Sequence, residues 1–531
     1  MKNNKIVKII PVIVIILVLI VLGVTYSLWS TSDSQGGKNT VNTVNCLDIE
    51  FLDTTNGISL GNAVPMSDEL GLKTTPHTFT IENKCNREVR YDLNIESLNI
   101  SNETKYLNIN YLDVSINDEY VEKLGNYNQT DSLLEANVAY DTRMVRTSTI
   151  AANDTITLNL KVWLDESTPN SEQGSTWQGM ITVNGIAMSD EYIGITGVQY
   201  LQSIASNNTD TMYYDGASYT DPNTNEEIVD NNLRYMGANP NNYVLFNDEL
   251  WRIIGVMNNV DDGTGVKESR IKLIRNESLG EFPYYDSCAD ENWIDNGDGT
   301  YSCSDRRFSN NWPGSTINEI LTTYYNNGTH AAYHGFVEGN NVSIAHDYPT
   351  STIDFTSSGL SSTSKNLIEN ATYYLGGYKT FNTEGNNQFY YQNITTLDSY
   401  SLERLNQGST NELIWTGNLG LMYPSDYGYS SNGTIAATGV SCKTITLWSW
   451  RDSAYANCKN NSWLYKSTLT QYFMTASADY YGDVSCIYYD GSVKDASTRN
   501  VWNITPVLYL KSQVKIIGGK GTSSNPYQLA I

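Results

Sequence analysis

Histidine is nearly absent from this chain, at 4 of 531 residues, and that scarcity limits its chemistry first. Imidazole is the side chain that changes charge near neutral pH and the commonest metal ligand, so few positions remain for acid-base work or for zinc. No HExxH pair occurs, the spacing that sets two histidines and a glutamate base on one helix face. His77 follows Pro76 at the head of an alternating run and reads as a surface residue. His330 and His334 stand four apart, a metal-like spacing on a helix, with His346 beyond. Gly328 and the neighbouring asparagines interrupt the helix such a pair needs. No metal site is expected. Basic residues are also few, 33 against 58 acidic for a net charge of -25. Nucleic acid and anionic lipid both attract clusters of Lys and Arg, so neither is an expected partner.

The seven cysteines include no CxxC pair, which removes the zinc ribbon and the thioredoxin-like site. In an exported chain the sequence-near disulfide candidates are Cys46 with Cys85, Cys288 with Cys303, and Cys442 with Cys458, leaving Cys486 odd. Sequence leaves the connectivity open.

Long apolar runs are lacking with one exception, Ile9 to Trp29, preceded by Lys2, Lys5 and Lys8. The positive flank stays cytoplasmic by the positive-inside tendency, so the polar bulk is expected outside the membrane, secreted or on its outer face. The unbroken part, Ile9 to Val24, falls between a long signal h-region and a short membrane span. Residues 1–27 are therefore either a signal peptide or a hydrophobic anchor helix. Thr25 and Ser27 are the small residues of a candidate cut between Ser27 and Leu28.

What is present is tyrosine, at 39 residues, with many asparagines, a composition suited to strands and polar loops. The length implies more than one core. Period-two alternation runs through Leu47, Ile49 and Phe51, through Phe79 and Ile81, and through Val89, Tyr91, Leu93 and Ile95. It returns at Ile156, Leu158, Leu160 and Val162 and around Ile181 and Val183, with turn residues between. One helical stretch is expected near Ser132 to Ala139. Short half-buried strands in this number predict an antiparallel jelly-roll sandwich over residues 28–188.

The segment GVTYSLWSTSDSQGGKNT, the strand NCLDIEFLD and the pair within HTFTIENKCNREVRYDLNIESL together resemble the TasA/camelysin family of Gram-positive extracellular matrix proteins, over about residues 20–187. Tyr26, Trp29 and Asp33 fill places of that family's aromatic segment after the signal, while Ser27 and Leu28 replace its usual alanines. The resemblance implies a jelly roll that polymerises into fibres when the freed N-terminal segment inserts as a strand into the next subunit. Members have been labelled metalloproteases, an activity the histidine inventory does not support here.

Residues 189–230 are expected as a linker holding a short helix at Val198, Leu201 and Ile204, and 231–531 as a β-rich α+β module. Tyr243 to Phe246 and Leu250 to Val256 read as strands turning at Asn247 and Asp248, with a third strand at Arg270 to Arg275. Thr316 with Glu319 gives a capping-box spacing for a helix ending at Asn326, Asn327 and Gly328. Asp490 and Gly491 mark a closing hairpin. LWRIIG, GLMYPSDYGY and the closing PVLYLKS resemble an uncharacterised domain of Gram-positive surface proteins, whose usual arginine before the proline is Thr505 here. By fold analogy the module is also similar to C-type-lectin-like folds.

Tyr427, Tyr429, Trp448, Trp450 and Trp463 are the candidates for stacking on a glycan or a protein partner, with core packing as the plain alternative. The acidic loops at Asp261-Asp262-Gly263 and Asp295 to Gly299 lack the full ligand series of a calcium loop. A structural Ca2+ there is thus weakly supported, and no other cofactor is expected. The expectation is a non-enzymatic cell-surface or biofilm-matrix protein, its first domain for assembly or display and its second for adhesion. The alternatives are a secreted metallopeptidase or lectin-fold oxidase, and a structural stalk without a ligand.

Overall fold

The computed structural model describes residues 47–51, 58–60, 63–100, 105–119, 121–172, 174–188, 192–221, 224–285, 292–297, 301–304, 309–331, 352–375, 394–404, 414–476 and 483–531. The segment Ile9 to Trp29 and the candidate cut at Ser27 and Leu28 lie outside these residues, as do Cys46, Cys288, His334 and His346. Among the described residues no helix is long and apolar enough to cross a membrane. The fold is mainly β, with multiple antiparallel sheets and one parallel pairing, Gln471 beside Asn503, and contacts divide it into two compact units at Gly194 and Ile195. The first also takes in residues 361–363 and 530–531.

The first unit is built from ten strands: β1 (Leu47–Phe51), β2 (Ile58–Ser59), β3 (His77–Asn83), β4 (Val89–Leu98), β5 (Leu112–Ile116), β6 (Val121–Lys123), β7 (Asn128–Gln129), β8 (Ala139–Ile150), β9 (Thr155–Leu164) and β10 (Gln178–Ala187). They form two sheets, in the orders β1-β3-β9-β5-β6 and β2-β10-β4-β8-β7. Without β1 and β7 at their edges, the sheets β3-β9-β5-β6 and β2-β10-β4-β8 interleave in chain order as a jelly roll does. Alternation is the cause. Phe79 and Ile81 on β3, Leu112 and Val114 on β5, and Leu158 and Leu160 on β9 share one buried core with Tyr91, Leu93 and Ile95 on β4 and Ile181 and Val183 on β10. A register slip of one residue would turn every one of these outward.

Glu96 on β4 is fully buried and accepts hydrogen bonds from the Leu133 amide at 2.9 Å, the Thr142 hydroxyl at 3.0 Å, the Thr182 hydroxyl at 2.9 Å, and the Ser132 hydroxyl. That anchor fixes residues 132–138 as a series of bends and turns, with Asn137 at a φ of 67°. The helix expected from Ser132 to Ala139 is absent: the Leu133 amide bonds to the distant Glu96 carboxylate, and the Leu134 amide to the Ser132 hydroxyl.

In the second unit a sheet runs through Met212–Tyr214, Leu233–Tyr235, Glu249–Asp261, Lys267–Arg275, Val507–Leu510 and Ile368–Glu369. A second sheet joins Gly280–Pro283, Val501–Ile504, Gln471–Ala476, Asp483–Ile487 and Val493–Ser497. Asn247 and Asp248 turn the first hairpin, both at positive φ, 58° and 56°. Asn and Asp tolerate that conformation better than other residues with a Cβ. The stretch 189–230 is not a separate linker. From Ile195 it belongs to the larger unit: the helix Gly197–Ala205 is capped reciprocally by Thr196 and Gln199, and Met212–Tyr214 pairs into the main sheet. The helix Thr316–Tyr325 is capped one residue earlier than the spacing suggested, by the Ser315 hydroxyl on the Asn318 amide. Thr316 is itself buried in the first turn.

Candidate functional site

The larger unit encloses a centre of charged side chains brought in by five separate segments. Arg234, in the strand Leu233–Tyr235, donates through Nε to Asp215 Oδ2 at 2.8 Å and through Nη1 to Asp426 Oδ1 at 2.6 Å. Lys272 Nζ donates to Asp426 Oδ2 at 2.5 Å, and the Tyr423 amide reaches the same oxygen at 2.9 Å. The side chains of Arg234, Asp215, Lys272 and Asp426 are all at most 2 % exposed. Each cation also faces aromatic rings, Arg234 over Tyr429 at 4.9 Å and Lys272 over Tyr423 at 4.7 Å. Such contacts replace part of the lost hydration of a buried cation.

The helix Thr396–Arg404 supplies the rest. Arg404 Nη2 pairs with Asp230 Oδ2 at 3.2 Å and donates to the Tyr400 hydroxyl at 3.0 Å, and that hydroxyl donates in turn to Asp230. Glu403 accepts from the Ser425 amide at 3.0 Å and from its hydroxyl at 2.5 Å. Burial is the main force on Glu403 and pushes its carboxyl up to about 8, with the two Ser425 hydrogen bonds opposing. Asp426 is buried as deeply, which alone would raise it, yet Lys272 and Arg234 hold it below the ordinary value. Protonated Glu403 leaves Arg234, Lys272 and Arg404 matched by Asp215, Asp230 and Asp426, a centre without net charge. A cavity of about 30 Å3 beside it is lined by Arg234, Lys272, Tyr374, Glu403, Arg404 and Asp426, among others. That holds about two waters. Most of the donors and acceptors bind one another, so the centre ties strands to helices.

The five aromatics expected to meet a ligand separate into two classes. Tyr427, Tyr429, Trp450 and Trp463 are buried, at 0 %, 1 %, 0 % and 6 % exposure. Two of their polar tips are satisfied inside: the Tyr427 hydroxyl donates to the Gly491 carbonyl at 3.0 Å and Trp463 Nε1 to the Tyr235 carbonyl at 3.1 Å, whereas Trp450 Nε1 is buried without a hydrogen-bond partner. Trp448 is half-buried, with the Arg451 guanidinium 3.7 Å over its ring. Tyr489, which the sequence did not single out, is 60 % exposed, and its carbonyl accepts from the Tyr465 hydroxyl at 2.7 Å.

Cys442 and Cys458 form a disulfide with a Cα–Cα distance of 5.4 Å, Cys85 is disulfide-bonded, and Cys486 is a buried thiol that donates to the Lys494 carbonyl at 3.1 Å. The strands Trp293–Asp295 and Tyr301–Cys303 pair antiparallel, Trp293 opposite Cys303. Replacing Cys442 and Cys458 together by serine is expected to cost the larger unit about 3 kcal/mol, the loop-closure value for a bridge of this span. A urea titration of the oxidised protein and of the double variant measures it; coincident midpoints would refute it. His330 sits in the two-residue strand Thr329–His330 rather than on a helix, with Nε2 3.8 Å from Glu319. Asp261 and Asp262 spend side-chain oxygens on the amides of Gly263 and Thr264, both at 2.7 Å, so this loop is a self-capped turn. Thr505 donates to Gln471 Oε1 at 2.6 Å in the interior.

No family model matches the chain, and no curated protein matches it. Among solved structures it is similar to a two-domain esterase active on acetylated mannans, crystallised with mannopentaose. That match has 9 % identity and a TM-score of 0.13, and covers 29 % of this chain and 40 % of that one. A likeness of this size carries no argument about fold or function.

Proposed function

We propose that this chain is an extracellular surface or matrix protein without enzymatic activity. Its jelly-roll unit serves assembly or display, and its larger unit contacts a glycan or protein ligand. The observation that supports this most is the place of β1. Among the described residues it is the first strand and lies at the edge of its sheet, and it pairs with β3 through five residues from Leu47 opposite Asn83 to Phe51 opposite Phe79. An edge strand leaves alternate amides and carbonyls for an extended partner, and the 28–45 segment of a second copy is the partner the family resemblance implies. In the larger unit the exposed Tyr489 and the half-buried Trp448 are the rings offered to a ligand, in place of the four buried aromatics.

Protein beginning at Leu28 is expected to form filaments, and protein beginning at Cys46 to stay monomeric, by negative-stain microscopy and sedimentation. Identical monomers in both cases would remove the assembly half of the proposal. For the ligand half, Trp448→Ala with Tyr489→Ala in the full chain is expected to lower retention on a glycan or host-protein array at least tenfold, the loss of about 1.4 kcal/mol or more.

A further inference from the structure

Arg252, in the strand Glu249–Asp261 of the larger unit, is 7 % exposed, and among the described residues it has no carboxylate partner. Its guanidinium faces the rings of Tyr243 and Trp463, at 4.3 and 4.5 Å from their centroids. Nε donates to Asn242 Oδ1 at 2.8 Å and Nη2 to the Pro240 carbonyl at 3.2 Å, while Nη1 donates to no described group. Rings and neutral acceptors replace part of the lost hydration but cancel no charge. Burial accordingly lowers this guanidinium to about 10, with Tyr243 opposing.

A second cation lines the same cavity. Lys466 Nζ donates to the Asn276 carbonyl, and no described carboxylate lies within ion-pair reach of it. Glu277, the acid that acts on it from further off, accepts from the Asn276 side-chain amide at 2.7 Å. Burial holds the Lys466 ammonium below its ordinary range, with Glu277 opposing and Arg252 and Arg275 adding to the shift. Arg275 brings no relief, because its Nε and Nη2 occupy the two Glu249 oxygens at 2.8 and 2.5 Å. Arg252, Arg275 and Lys466 line a cavity of about 20 Å3 together with Trp463, Gln471 and Thr505, room for about one water. Thr505 takes Gln471 Oε1, which leaves the Gln471 NH2 as a further donor.

We propose that this cavity binds one monatomic anion of the chloride class between Arg252 and Lys466. Arg252 Nη1, Lys466 Nζ and Gln471 Nε2 supply N–H donors, and no carboxylate among the cavity's lining residues competes for them. Size sets the class, since phosphate and sulfate, with four oxygens each, exceed a space for one water. Out of bulk water the attraction of a cation for its anion is least screened, so the two cations without counter-ions give the ion its hold. The net charge of -25 keeps anions away from the rest of the surface, and a bound chloride therefore marks this cavity. The site is internal to the larger unit and independent of the assembly and adhesion roles.

The test uses the full-length protein, dialysed into chloride-free sodium gluconate and titrated with NaCl at constant ionic strength, with the chloride NMR linewidth and the Tm of the larger unit as readouts. Excess broadening that bromide displaces is expected in the wild type. Chloride about tenfold above Kd is expected to raise the Tm by about 2 °C. Lys466→Met is expected to weaken binding at least about tenfold, the value of a charge-assisted hydrogen bond, and Lys466→Arg to retain it. Gln471→Glu puts a resident carboxylate into the cavity. It is expected to abolish the chloride response and to raise the chloride-free Tm by about 2 °C, a gain that a variant failing to fold cannot mimic. No bromide-displaceable broadening in the wild type, equal affinity in wild type and Lys466→Met, or a chloride response that survives Gln471→Glu would each overturn the proposal.

Discussion

Replacing Asp426 by asparagine is expected to destabilise the larger unit by about 3–5 kcal/mol, the cost of leaving buried charge without its counter-ion. Asp426 holds both Arg234, at 2.6 Å, and Lys272, at 2.5 Å, and all three are removed from water. The asparagine keeps the shape and one acceptor, so the loss measures charge and not volume. Lys272 then loses its ionised partner and keeps its aromatic neighbours, Tyr423 at 4.7 Å and Tyr509 at 5.5 Å, which offset part of its desolvation. Adding Lys272→Met to Asp426→Asn is expected to recover part of the stability, because an apolar replacement of a buried pair is often nearly neutral. Denaturant midpoints of the wild type, both single variants and the double variant close the cycle. If Asp426→Asn costs less than about 1 kcal/mol, the value of an exposed pair, the centre does not organise the unit.

This centre was the part least legible in the sequence, and the reason is physical. In the jelly roll one face of each strand meets the core and the other faces outward for most of its length, so Phe79, Ile81, Leu158 and Leu160 show a period of two that survives without any structure. Arg234 and Lys272 lie in strands buried on both faces, where a charged residue among apolar ones gives no sign of which face it takes. Their partner Asp426 is 192 and 154 residues away, and no local pattern encodes that distance. The clue that was present is RIKLIR, where Arg270, Lys272 and Arg275 alternate with or follow Ile271, Leu273 and Ile274 in a run that otherwise reads as core.

The tyrosines and tryptophans failed as markers of a surface for a related reason. A ring with a polar tip fits inside when a backbone carbonyl waits for it, as Gly491 does for Tyr427 and Tyr235 for Trp463. Frequency and clustering in sequence do not distinguish this from exposure. The turn of Asp261 to Gly265 was easier, since Asp before glycine carries its own caps. The burial of Asp113 was invisible because it looks like an ordinary outward position of the alternating strand β5.

The stability of the larger unit is expected to fall as pH rises from about 4.5 to about 8, and Glu403 is the group responsible. Its folded carboxyl is pushed up to about 8 from an ordinary value of 4.5, chiefly by burial. Below 4.5 the group is protonated folded and unfolded, and its contribution is fully present. Between the two values only the folded state keeps the proton, so the unfolded state binds fewer, and stability declines with pH at on the order of 1 kcal/mol per unit. Above about 8 both states are ionised and the slope from this group ends. The charged groups around it do not reverse the sign: Asp426 is held low and titrates below the window, and Lys443, lowered to about 8 mainly by burial, contributes only above it. Glu403→Gln supplies an amide N–H toward the Ser425 hydroxyl and keeps an acceptor for the Ser425 amide, reproducing the protonated acid at every pH. Urea midpoints of the larger unit at pH 5, 6, 7 and 8 are therefore expected to slope downward in the wild type and to be flat in Glu403→Gln, with the variant more stable at pH 8. Equal slopes in both proteins would mean that Glu403 is ionised in the folded state, and that the centre carries a net negative charge which its three cations do not balance.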